Sequence, residues 1–371
     1  MTENEIKKIA EQFAIEGTVG ELKAYGSGHI HETYRLKNAD AQKPDYILQK
    51  INNSIFTNVE ELMNNIQTVI NHLQEQKQND TTGSVKGEVL QLVPALDGKT
   101  YYQHTDGSFW RVYVFLEGTR SYDLIENDKQ AREGGKGYGR FISALADLDP
   151  NKIFEVLPDF HNMQHRLNQL DTAITKDPVD RLKTVAEEVN FVKERAERMT
   201  TIKRMGDAGE LPLRITHNDT KFNNVLLNEN DEAHCVIDLD TIMPGYIAYD
   251  FGDAVRTTIN TADEDEKDLE KIQLNMNVFK AFSEGFIGET GATLTDNEVK
   301  SLSEGCLMLP FIMGVRFLSD YIDGDNYYRI HSPHHNLQRA RAQFQLVRKL
   351  EENFEEIKNI IEQTSAKAKS K

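Results

Sequence analysis

The stretch RITHNDTKFNNVLLNENDEAHCVIDLD, residues 214–240, alternates short apolar runs with a cluster of polar and acidic residues. Residues 225–227 form one apolar run and residues 236–237 form a second, and both have the composition of short strands. The polar residues at 228–231 supply the turn between them. The pattern predicts a β-hairpin preceded by a polar loop, which is the arrangement of a catalytic loop.

The polar residues of this stretch have the order that phosphoryl transfer from a nucleotide requires. Asp219 follows His217 by two residues and precedes Asn224 by five, and Asp238 ends the second strand. One carboxylate must accept the proton of the attacking hydroxyl, while an amide oxygen and a second carboxylate hold the Mg²⁺ that neutralises the phosphates. We therefore predict Asp219 as the base and Asn224 and Asp238 as the metal ligands. His217 would brace the loop.

A surface hairpin with polar turn residues is the alternative interpretation of the same stretch. The two apolar strands lead directly into the acidic residues, and their buried character disfavours a purely solvated turn. The catalytic interpretation is therefore the one carried forward.

The loop resembles the catalytic motif of the aminoglycoside phosphotransferase and choline kinase family, which is related to the protein kinases. The segments that carry the resemblance extend over nearly the whole chain, and they are YGSGHIHETY, YILQKIN, FHNMQHR, ITHNDTKFNN, VIDLDTIMPG, DFGDAVR, RFLSDYIDGD and HNLQRAR. The resemblance implies a bilobal α+β fold of the protein-kinase type that binds ATP and Mg²⁺. Residues 1–116 would form an N-lobe with a sheet and one helix, and residues 117–371 a mainly helical C-lobe with the catalytic hairpin and the acceptor site.

The resemblance also implies the acceptor. It is closest to the part of the family that phosphorylates the anomeric hydroxyl of N-acetylhexosamines (GlcNAc and GalNAc), giving the 1-phosphate in carbohydrate metabolism. By matching motif positions, His29, Arg316 and Tyr327 would bind the sugar, and Asp219 would also contact its reactive end.

Two other classes of protein remain open at this point. A kinase of the same fold acting on choline, ethanolamine, homoserine or an aminoglycoside would share every catalytic residue. Choline would require an aromatic cage, and the helical insert is not rich in aromatic residues, which disfavours that substrate. The second class is a nucleotide-binding protein without catalysis.

Several N-lobe residues are candidates for nucleotide binding. Gly26 and Gly28 lie between two predicted strands, where a close backbone could donate N–H groups to phosphates, although such a pair is also typical of a hairpin turn. A kinase of this type is expected to present a lysine from the third strand. Here either Gln49 or Lys50 occupies that place, and because adjacent strand residues face opposite sides, only one can meet the phosphates. The resemblance implies that Glu117 begins the connection along which adenine would lie.

Composition excludes several other functions. The chain has 371 residues, 39% of them hydrophobic and 28% charged, and a net charge of −17, which disfavours nucleic acids and anionic membranes as partners. Cys235 and Cys306 are the only cysteines, so no disulfide framework is predicted. The N-terminus lacks the features of a secretory signal, and no apolar run approaches the length of a membrane span. We therefore expect a cytoplasmic protein, and a monomer.

Hydrophobic periodicity predicts the order of the remaining elements. The predicted strands cover 22–25, 32–37, 46–51, 88–93 and 109–116. The predicted helices cover 3–15, 59–76, 129–148, 160–170 and 179–205.

Three further features have a structural interpretation. The glycines at 134, 135, 137 and 139 are spread along one predicted helix and indicate close helix packing rather than a phosphate loop. His161 is expected to be a packing or helix-end histidine. Asp250, in an Asp-Phe-Gly string, is expected to cap a helix and to accept hydrogen bonds from the catalytic loop, since Asp238 is the better metal ligand.

Overall fold

The computed structural model describes residues 1–26, 30–80 and 87–370, which fold into two lobes. Within these ranges the strands are β1 (Val19–Ala24), β2 (Glu32–Asn38), β3 (Tyr46–Ile51), β4 (Leu92–Val93), β5 (Tyr102–Gln103), β6 (Phe109–Val114), β7 (Thr119–Arg120), β8 (Arg214–Thr216), β9 (Val225–Asn228), β10 (Ala233–Val236) and β11 (Met243–Gly245). The helices are α1 (Glu3–Ala10), α2 (Val59–Asn79), α3 (Asp128–Ala144), α4 (Met163–Lys176), α5 (Ala186–Met199), α6 (Thr201–Asp207), α7 (Ile247–Thr258), α8 (Met276–Thr290), α9 (Asp296–Asp323), α10 (His335–Glu352) and α11 (Phe354–Lys369).

The N-lobe is built on an antiparallel sheet in the order β1-β2-β3-β6-β4, with β5 paired to β6. Successive strand residues point to opposite sides of the sheet, and apolar residues are buried on both sides. Leu48 and Trp110 lie on the face that packs against Ile9 of α1. Ile51 and Tyr113 lie on the other face, which belongs to the large core shared with α2 and the C-lobe. Trp110 is thus a core residue, with its indole N–H donating to a serine hydroxyl.

Helix α2 is bonded to the C-lobe through one side chain. It begins at Asn58, whose side chain accepts the N–H of Glu61. Asn65 is 1% exposed and makes three hydrogen bonds with C-lobe main chain. Its Nδ2 donates to the carbonyls of Phe154 at 2.8 Å and Ile242 at 3.2 Å, and its Oδ1 accepts the Phe154 N–H at 2.8 Å. The helix is therefore fixed to both lobes.

The chain passes from one lobe to the other between β6 and β7. The predicted boundary after residue 116 falls in this four-residue connection. β7 then pairs with β9 of the catalytic hairpin, so the crossing segment and the hairpin form one small sheet with β10. This pairing holds the hairpin at the base of the cleft between the lobes.

The C-lobe packs around α9, which contacts helices on several sides. In the described part of the chain, α9 is the one helix long and apolar enough to cross a membrane by length and composition. Of its 18-residue apolar window 83% is buried inside the fold, as expected for a core helix. The sequence argument that no apolar run reaches spanning length overlooked α9, whose apolar character is explained by burial.

The glycines of α3 serve close packing, as predicted. A Cβ at Gly135 would lie 2.2 Å from the carbonyl oxygen of Phe282 in α8, and one at Gly285 of α8 would lie 2.1 Å from the carbonyl oxygen of Arg132 in α3. The two backbones therefore touch. On the opposite side, a Cβ at Gly137 would meet Val225 of the hairpin at 2.8 Å.

Several predicted element boundaries are wrong. The predicted helix 179–205 is divided into a short 3-10 turn, α5 and α6, since Thr200 and Thr201 interrupt the helical bonding with their own hydroxyls. The predicted strand 88–93 shortens to β4, and α1 ends at Ala10 rather than residue 15. The strand 46–51 is confirmed at both ends. Helix α2 ends at Asn79, three residues beyond the predicted end at residue 76.

Candidate active site

The catalytic loop is held by buried carboxylates of α7. Asp250 accepts the main-chain N–H groups of His217 at 2.8 Å and Asn218 at 2.7 Å, and Asp253 accepts that of Thr220 at 3.0 Å. Burial raises the pKa of Asp250 to about 7, while the two backbone N–H groups oppose the rise. The prediction that Asp250 receives hydrogen bonds from the loop is confirmed. The predicted cap is wrong, because α7 begins after Tyr246 without a side-chain cap.

His217 is a brace for the loop, as predicted. Its Nδ1 accepts the N–H of Asp219 at 3.3 Å, so the neutral ring carries its proton on Nε2, which donates to the Ile237 carbonyl at 2.9 Å. Burial lowers the pKa of His217, which favours this neutral form. The ring thereby joins Asp219 of the loop to Ile237, the residue directly after the second strand of the hairpin.

The predicted base, Asp219, lies among donors. Lys221 Nζ is 3.0 Å from its carboxylate, and the Nδ2 of Asn224 donates to its main-chain carbonyl at 2.8 Å. Because Nδ2 is engaged by Asp219, the amide oxygen of Asn224 is directed away from that residue, as metal ligation would require. The structure thus brings Asp219 and Asn224 together, with Lys221 as an addition that the sequence argument did not single out.

Asp238, the second predicted metal ligand, combines strain with crowded negative charge. Its backbone is left-handed, with φ 62° and ψ 60°, a conformation that Asp tolerates better than most residues. The residue is exposed to solvent. Desolvation of its carboxyl group by the protein on one side, followed by the nearby charges of Asp240 and Asp219, raises the pKa of Asp238 above its usual value. A bound cation would relieve this repulsion.

The donor set suits Mg²⁺ only in part. The described residues contain no group of three or more His, Cys, Asp or Glu side chains that could hold a metal ion. Asn224 and Asp238 supply hard oxygen donors, which Mg²⁺ prefers, and nucleotide phosphates and water would have to complete its shell. The residues therefore fit a Mg²⁺ ion that arrives with a nucleotide.

On the nucleotide side the structure separates the two residues between which the sequence argument could not choose. Gln49 shares the sheet face of Ile51, toward α2 and the C-lobe. Lys50 is on the face of Leu48, and its Nζ pairs with Glu32 at 3.0 Å. Only Gln49 therefore points to the side on which the cleft lies.

The other predicted nucleotide and acceptor residues of the N-lobe are less informative. Gly26 has φ +83°, and a Cβ placed on it would have no atom of the described residues within 4 Å. Glu117 is exposed in the connection between the lobes and pairs with Arg35 at 3.1 Å. Gly28 and His29 lie outside the described residues.

A buried ion pair beside Asp238 was missed by sequence reasoning. Arg111 of β6 donates from both Nη atoms to Asp240, at 2.6 Å each, and the two side chains are 2% and 3% exposed. Burial would raise the pKa of Asp240, but the Arg111 guanidinium outweighs it and holds this pKa well below its usual range. The signal in the sequence was an arginine at an inward position of an apolar strand.

The predicted acceptor residues Arg316 and Tyr327 line a cavity of about 480 Å³ between α4 and α9. Arg166 and Tyr328 line it as well. In the described part of the chain Arg316 forms no ion pair, and the hydroxyl of Tyr328 is buried without a hydrogen-bond partner. The structure thus brings Arg316 and Tyr327 together, while Asp219 is not among the residues that line this cavity.

His161 connects this cavity to the catalytic loop. Its Nε2 lies 3.2 Å from the Asn218 carbonyl, and its ring packs on Phe160 and Tyr249. The Arg316 guanidinium lies 5.4 Å from the centre of the Phe160 ring. Burial lowers the pKa of His161 to about 4, so the ring is neutral at pH 7. The expectation of a packing histidine is confirmed, with the addition that it packs on the loop.

Solved structures of kinases share this fold. An aminoglycoside phosphotransferase from Alicyclobacillus acidocaldarius is 13% identical, with a TM-score of 0.62 and 96% of each chain covered. A choline kinase from Cryptosporidium parvum Iowa II is 13% identical, with a TM-score of 0.59, covering 96% of this chain and 97% of that one. A spectinomycin phosphotransferase in complex with ADP and spectinomycin is 12% identical, with a TM-score of 0.54, covering 93% of this chain and 99% of that one.

The comparison at the level of sequence families is more specific. The model of the "Phosphotransferase enzyme family", APH, matches residues 21–274, which include the N-lobe sheet, the connection, the catalytic hairpin and α7. The chain therefore belongs to the phosphotransferase enzyme family of small-molecule kinases.

Proposed function

We propose that the protein is an N-acetylhexosamine 1-kinase, which transfers the γ-phosphoryl group of ATP to the anomeric hydroxyl of GlcNAc or GalNAc. The observation that carries the choice of acceptor is the charge of the cavity between α4 and α9. Three basic side chains, Arg166, Lys176 and Arg316, line it together with two carboxylates, Asp320 and Asp323, so basic groups are in excess. The carboxylate of Asp320 already accepts the N–H groups of Tyr327 and Tyr328. A hydroxyl-rich, uncharged ring is the better occupant.

Hydrogen bonding supports the same acceptor. The guanidinium of Arg316 and the hydroxyls of Tyr327 and Tyr328 can donate to ring oxygens and to an acetamido carbonyl. A buried hydroxyl without a partner, such as that of Tyr328, costs free energy until a ligand satisfies it. Sites of this kind select substrates by the hydroxyls that they carry.

The chemistry would follow from the groups around Asp219. Asp219 would accept the proton of the anomeric hydroxyl as its oxygen attacks phosphorus, while Lys221, 3.0 Å away, holds the carboxylate in place. Asn224 and Asp238 would hold Mg²⁺, which supplies charge neutralisation to the phosphates when it is bound with ATP. We also propose that the enzyme is a monomer that draws on cytoplasmic ATP.

A kinase for a cationic acceptor is the second candidate. It is favoured by the relatives that act on choline and by the net charge of −17. The excess of basic over acidic side chains in the cavity opposes it, because a quaternary ammonium or an aminoglycoside would have to bind beside Arg166 and Arg316 as well as beside Asp320 and Asp323. A nucleotide-binding protein without catalysis is disfavoured by the presence of Asp219, Asn224 and Asp238 together.

The test is a panel of acceptors with ATP and Mg²⁺, with products assigned by phosphorus NMR. We expect GlcNAc and GalNAc to become their 1-phosphates, and Arg316→Ala to raise the Michaelis constant for sugar about tenfold or more while leaving that for ATP nearly unchanged. Arg198→Ala, on α5 and paired with Glu304, is the matched control. Phosphate on choline, on an aminoglycoside, or on the sugar 6-hydroxyl would overturn the proposal, and absence of turnover would favour the non-catalytic class.

A further inference from the structure

Protein kinases have a lysine on the third strand that faces the cleft, and at this position the present chain has an uncharged side chain. Gln49 of β3 points toward α2 and the cleft, whereas Lys50 is committed to Glu32 on the other face. The register of the sheet pairs Gln49 directly with Arg111 of β6. Residues opposite each other in antiparallel strands share a face. The cationic side chain on this face is therefore Arg111 of β6, the neighbouring strand, and not a lysine of β3.

The carboxylate that balances the cation has also moved. In protein kinases the lysine pairs with a glutamate on the helix that follows. Here that helix is α2, and in the described structure neither Glu60 nor Glu61 of its first turn forms an ion pair. Arg111 pairs instead with Asp240, two residues beyond Asp238, through two hydrogen bonds of 2.6 Å. The pair thus joins the N-lobe sheet directly to the turn that carries the metal ligand.

The third donor of the guanidinium fixes Gln49. Arg111 Nε donates to the Gln49 side chain at 3.0 Å, and because a guanidinium can only donate, the atom that faces it must be the amide oxygen. The amide nitrogen donates to the Thr33 hydroxyl at 3.1 Å and has one N–H left. Arg111 therefore orients an amide donor at the position where other kinases have the lysine.

We propose that Arg111 is a positioning residue for phosphoryl transfer and that, with Asp240, it replaces the lysine–glutamate ion pair of protein kinases. At 2% exposure the guanidinium is too buried to bind a nucleotide itself. It acts through Asp240 on the left-handed turn at Asp238, and through Gln49 on the phosphates. His31, directly before β2, has its Nε2 3.5 Å from Asp240 and belongs to the same cluster. The inference concerns the nucleotide half of the site and does not depend on the identity of the acceptor.

The test separates positioning from stability. Removing one partner of a buried ion pair destabilises a protein strongly, whereas replacing both by apolar residues of similar volume is often tolerated. The variants are therefore Arg111→Lys and the double variant Arg111→Met with Asp240→Leu. The measurements are the dissociation constant of Mg²⁺·ADP by calorimetry, the Mg²⁺ titration of activity, and the Michaelis constant for the acceptor.

We expect the double variant to fold, to bind Mg²⁺·ADP on the order of tenfold more weakly and to lose on the order of a hundredfold in kcat, with the acceptor constant within about twofold of wild type. Arg111→Lys, which keeps the charge but not the fork, should recover part of the loss. Arg195→Gln, which breaks a less buried ion pair with Glu351 between α5 and α10, should change only the melting temperature. Wild-type nucleotide affinity and Mg²⁺ dependence in a folded double variant, or in Arg111→Lys if the double variant does not fold, would overturn the proposal. So would a larger loss of nucleotide affinity in Lys50→Met than in either.

Discussion

Two residues of the candidate site are held in backbone conformations that most residues avoid. Asn218, directly before the proposed base, has φ 65°, and Asp238 has φ 62°. Asn and Asp reach the left-handed region at a lower cost than other non-glycine residues, because their short polar side chains bond locally. Each is fixed by hydrogen bonds from another element, Asn218 by Asp250 and the Asp238 turn by the ion pair of Asp240 with Arg111.

The proposed base can be tested by a change of one atom type. Asp219→Asn keeps the shape of the side chain and removes the acceptor for the proton, so we expect turnover to fall by a factor on the order of a hundred or more while nucleotide binding persists. Turnover and Mg²⁺·ADP affinity are the two measurements. Asp231→Asn, in the turn of the same hairpin, is the control. Near-normal turnover of Asp219→Asn would show that Asp219 is not the base.

Two carboxylates that lie twelve residues apart are predicted to fail differently. Asp238→Ala should abolish activity without unfolding the chain, because the residue is exposed to solvent and is the proposed metal ligand. Asp250→Ala should lower the melting temperature, since it leaves the N–H groups of His217 and Asn218 buried and unpaired, at about 1–3 kcal/mol each. Thermal unfolding and a Mg²⁺ titration distinguish them. An unchanged Mg²⁺ dependence in Asp238→Ala would contradict its assignment.

His161 gives the fold a sensitivity to acid. Its pKa, lowered to about 4 by burial, means that the unfolded chain binds a proton between pH 6.5 and 4 while the folded chain does not, so stability is lost as the pH falls through this window. Between pH 7.5 and pH 5 the loss from this histidine is on the order of 2 kcal/mol. Urea unfolding at the two pH values should show a smaller loss in His161→Gln than in wild type. An equal loss would assign the acid sensitivity to other groups, among them His217.

At the scale of elements, the contact of α3 with α8 sets the position of the hairpin. Gly135 faces α8, while Gly137 on the other side of the same helix faces Val225 of β9. α3 thus lies between the C-lobe core and the hairpin, with the backbone of α8 on one side and the Val225 side chain on the other. A displacement of α3 would be transmitted to the hairpin through Val225.

Two glycine substitutions should therefore have opposite effects. Gly135→Ala would place a methyl group 2.2 Å from the Phe282 carbonyl oxygen, and we expect it to destabilise the fold by roughly 1–3 kcal/mol as α3 and α8 move apart. At Gly288 of α8 an added Cβ would have no atom of the described residues within 4 Å. Gly288→Ala should therefore stabilise the fold by about 0.5–1 kcal/mol through helix propensity. Melting temperatures give both signs. Stabilisation by Gly135→Ala would contradict the close contact.

The sequence predicted those parts of the structure whose signals are local. The strand 46–51 alternates inward and outward residues, and the catalytic loop has a fixed spacing, so both were found at the right positions. Helix ends depended on competition that periodicity does not report, as at Thr200 and Thr201. The partner of Arg111 lies 129 residues away, and no pattern in either strand indicates Asp240. The side chain of Lys50 was ambiguous because a one-residue shift reverses the faces of a strand.

The whole molecule is a pair of lobes joined by buried polar contacts as well as by the connecting chain. Asn65 ties α2 to the main chain of the C-lobe, and Arg111 ties the N-lobe sheet to Asp240. The apolar core is likewise continuous, since residues of α2 and of the C-lobe belong to the same cluster. Such a molecule is expected to unfold as one cooperative unit.

Asn65→Leu tests this coupling. The change keeps the side-chain size but leaves the Phe154 N–H and the Ile242 carbonyl without their partner, at about 1–3 kcal/mol for each buried group. We expect a lower melting temperature, a broader calorimetric transition and faster hydrogen exchange in α2 than in α8. Asn71→Leu, one and a half turns further along the same helix and bonded only to Gln67, is the matched control. A single sharp transition at the wild-type temperature in Asn65→Leu would mean that the lobes are coupled by the core alone.

The three bonds of Asn65 also bear on how such an enzyme can be governed in the cell. Many relatives of this fold are turned on and off by swinging the helix that corresponds to α2 away from the cleft. In this protein a movement of α2 away from the cleft would break the three hydrogen bonds that Asn65 makes with the main chain of the opposite lobe. We therefore expect α2 to keep one position and the activity to depend on the supply of substrate rather than on a movement of this helix.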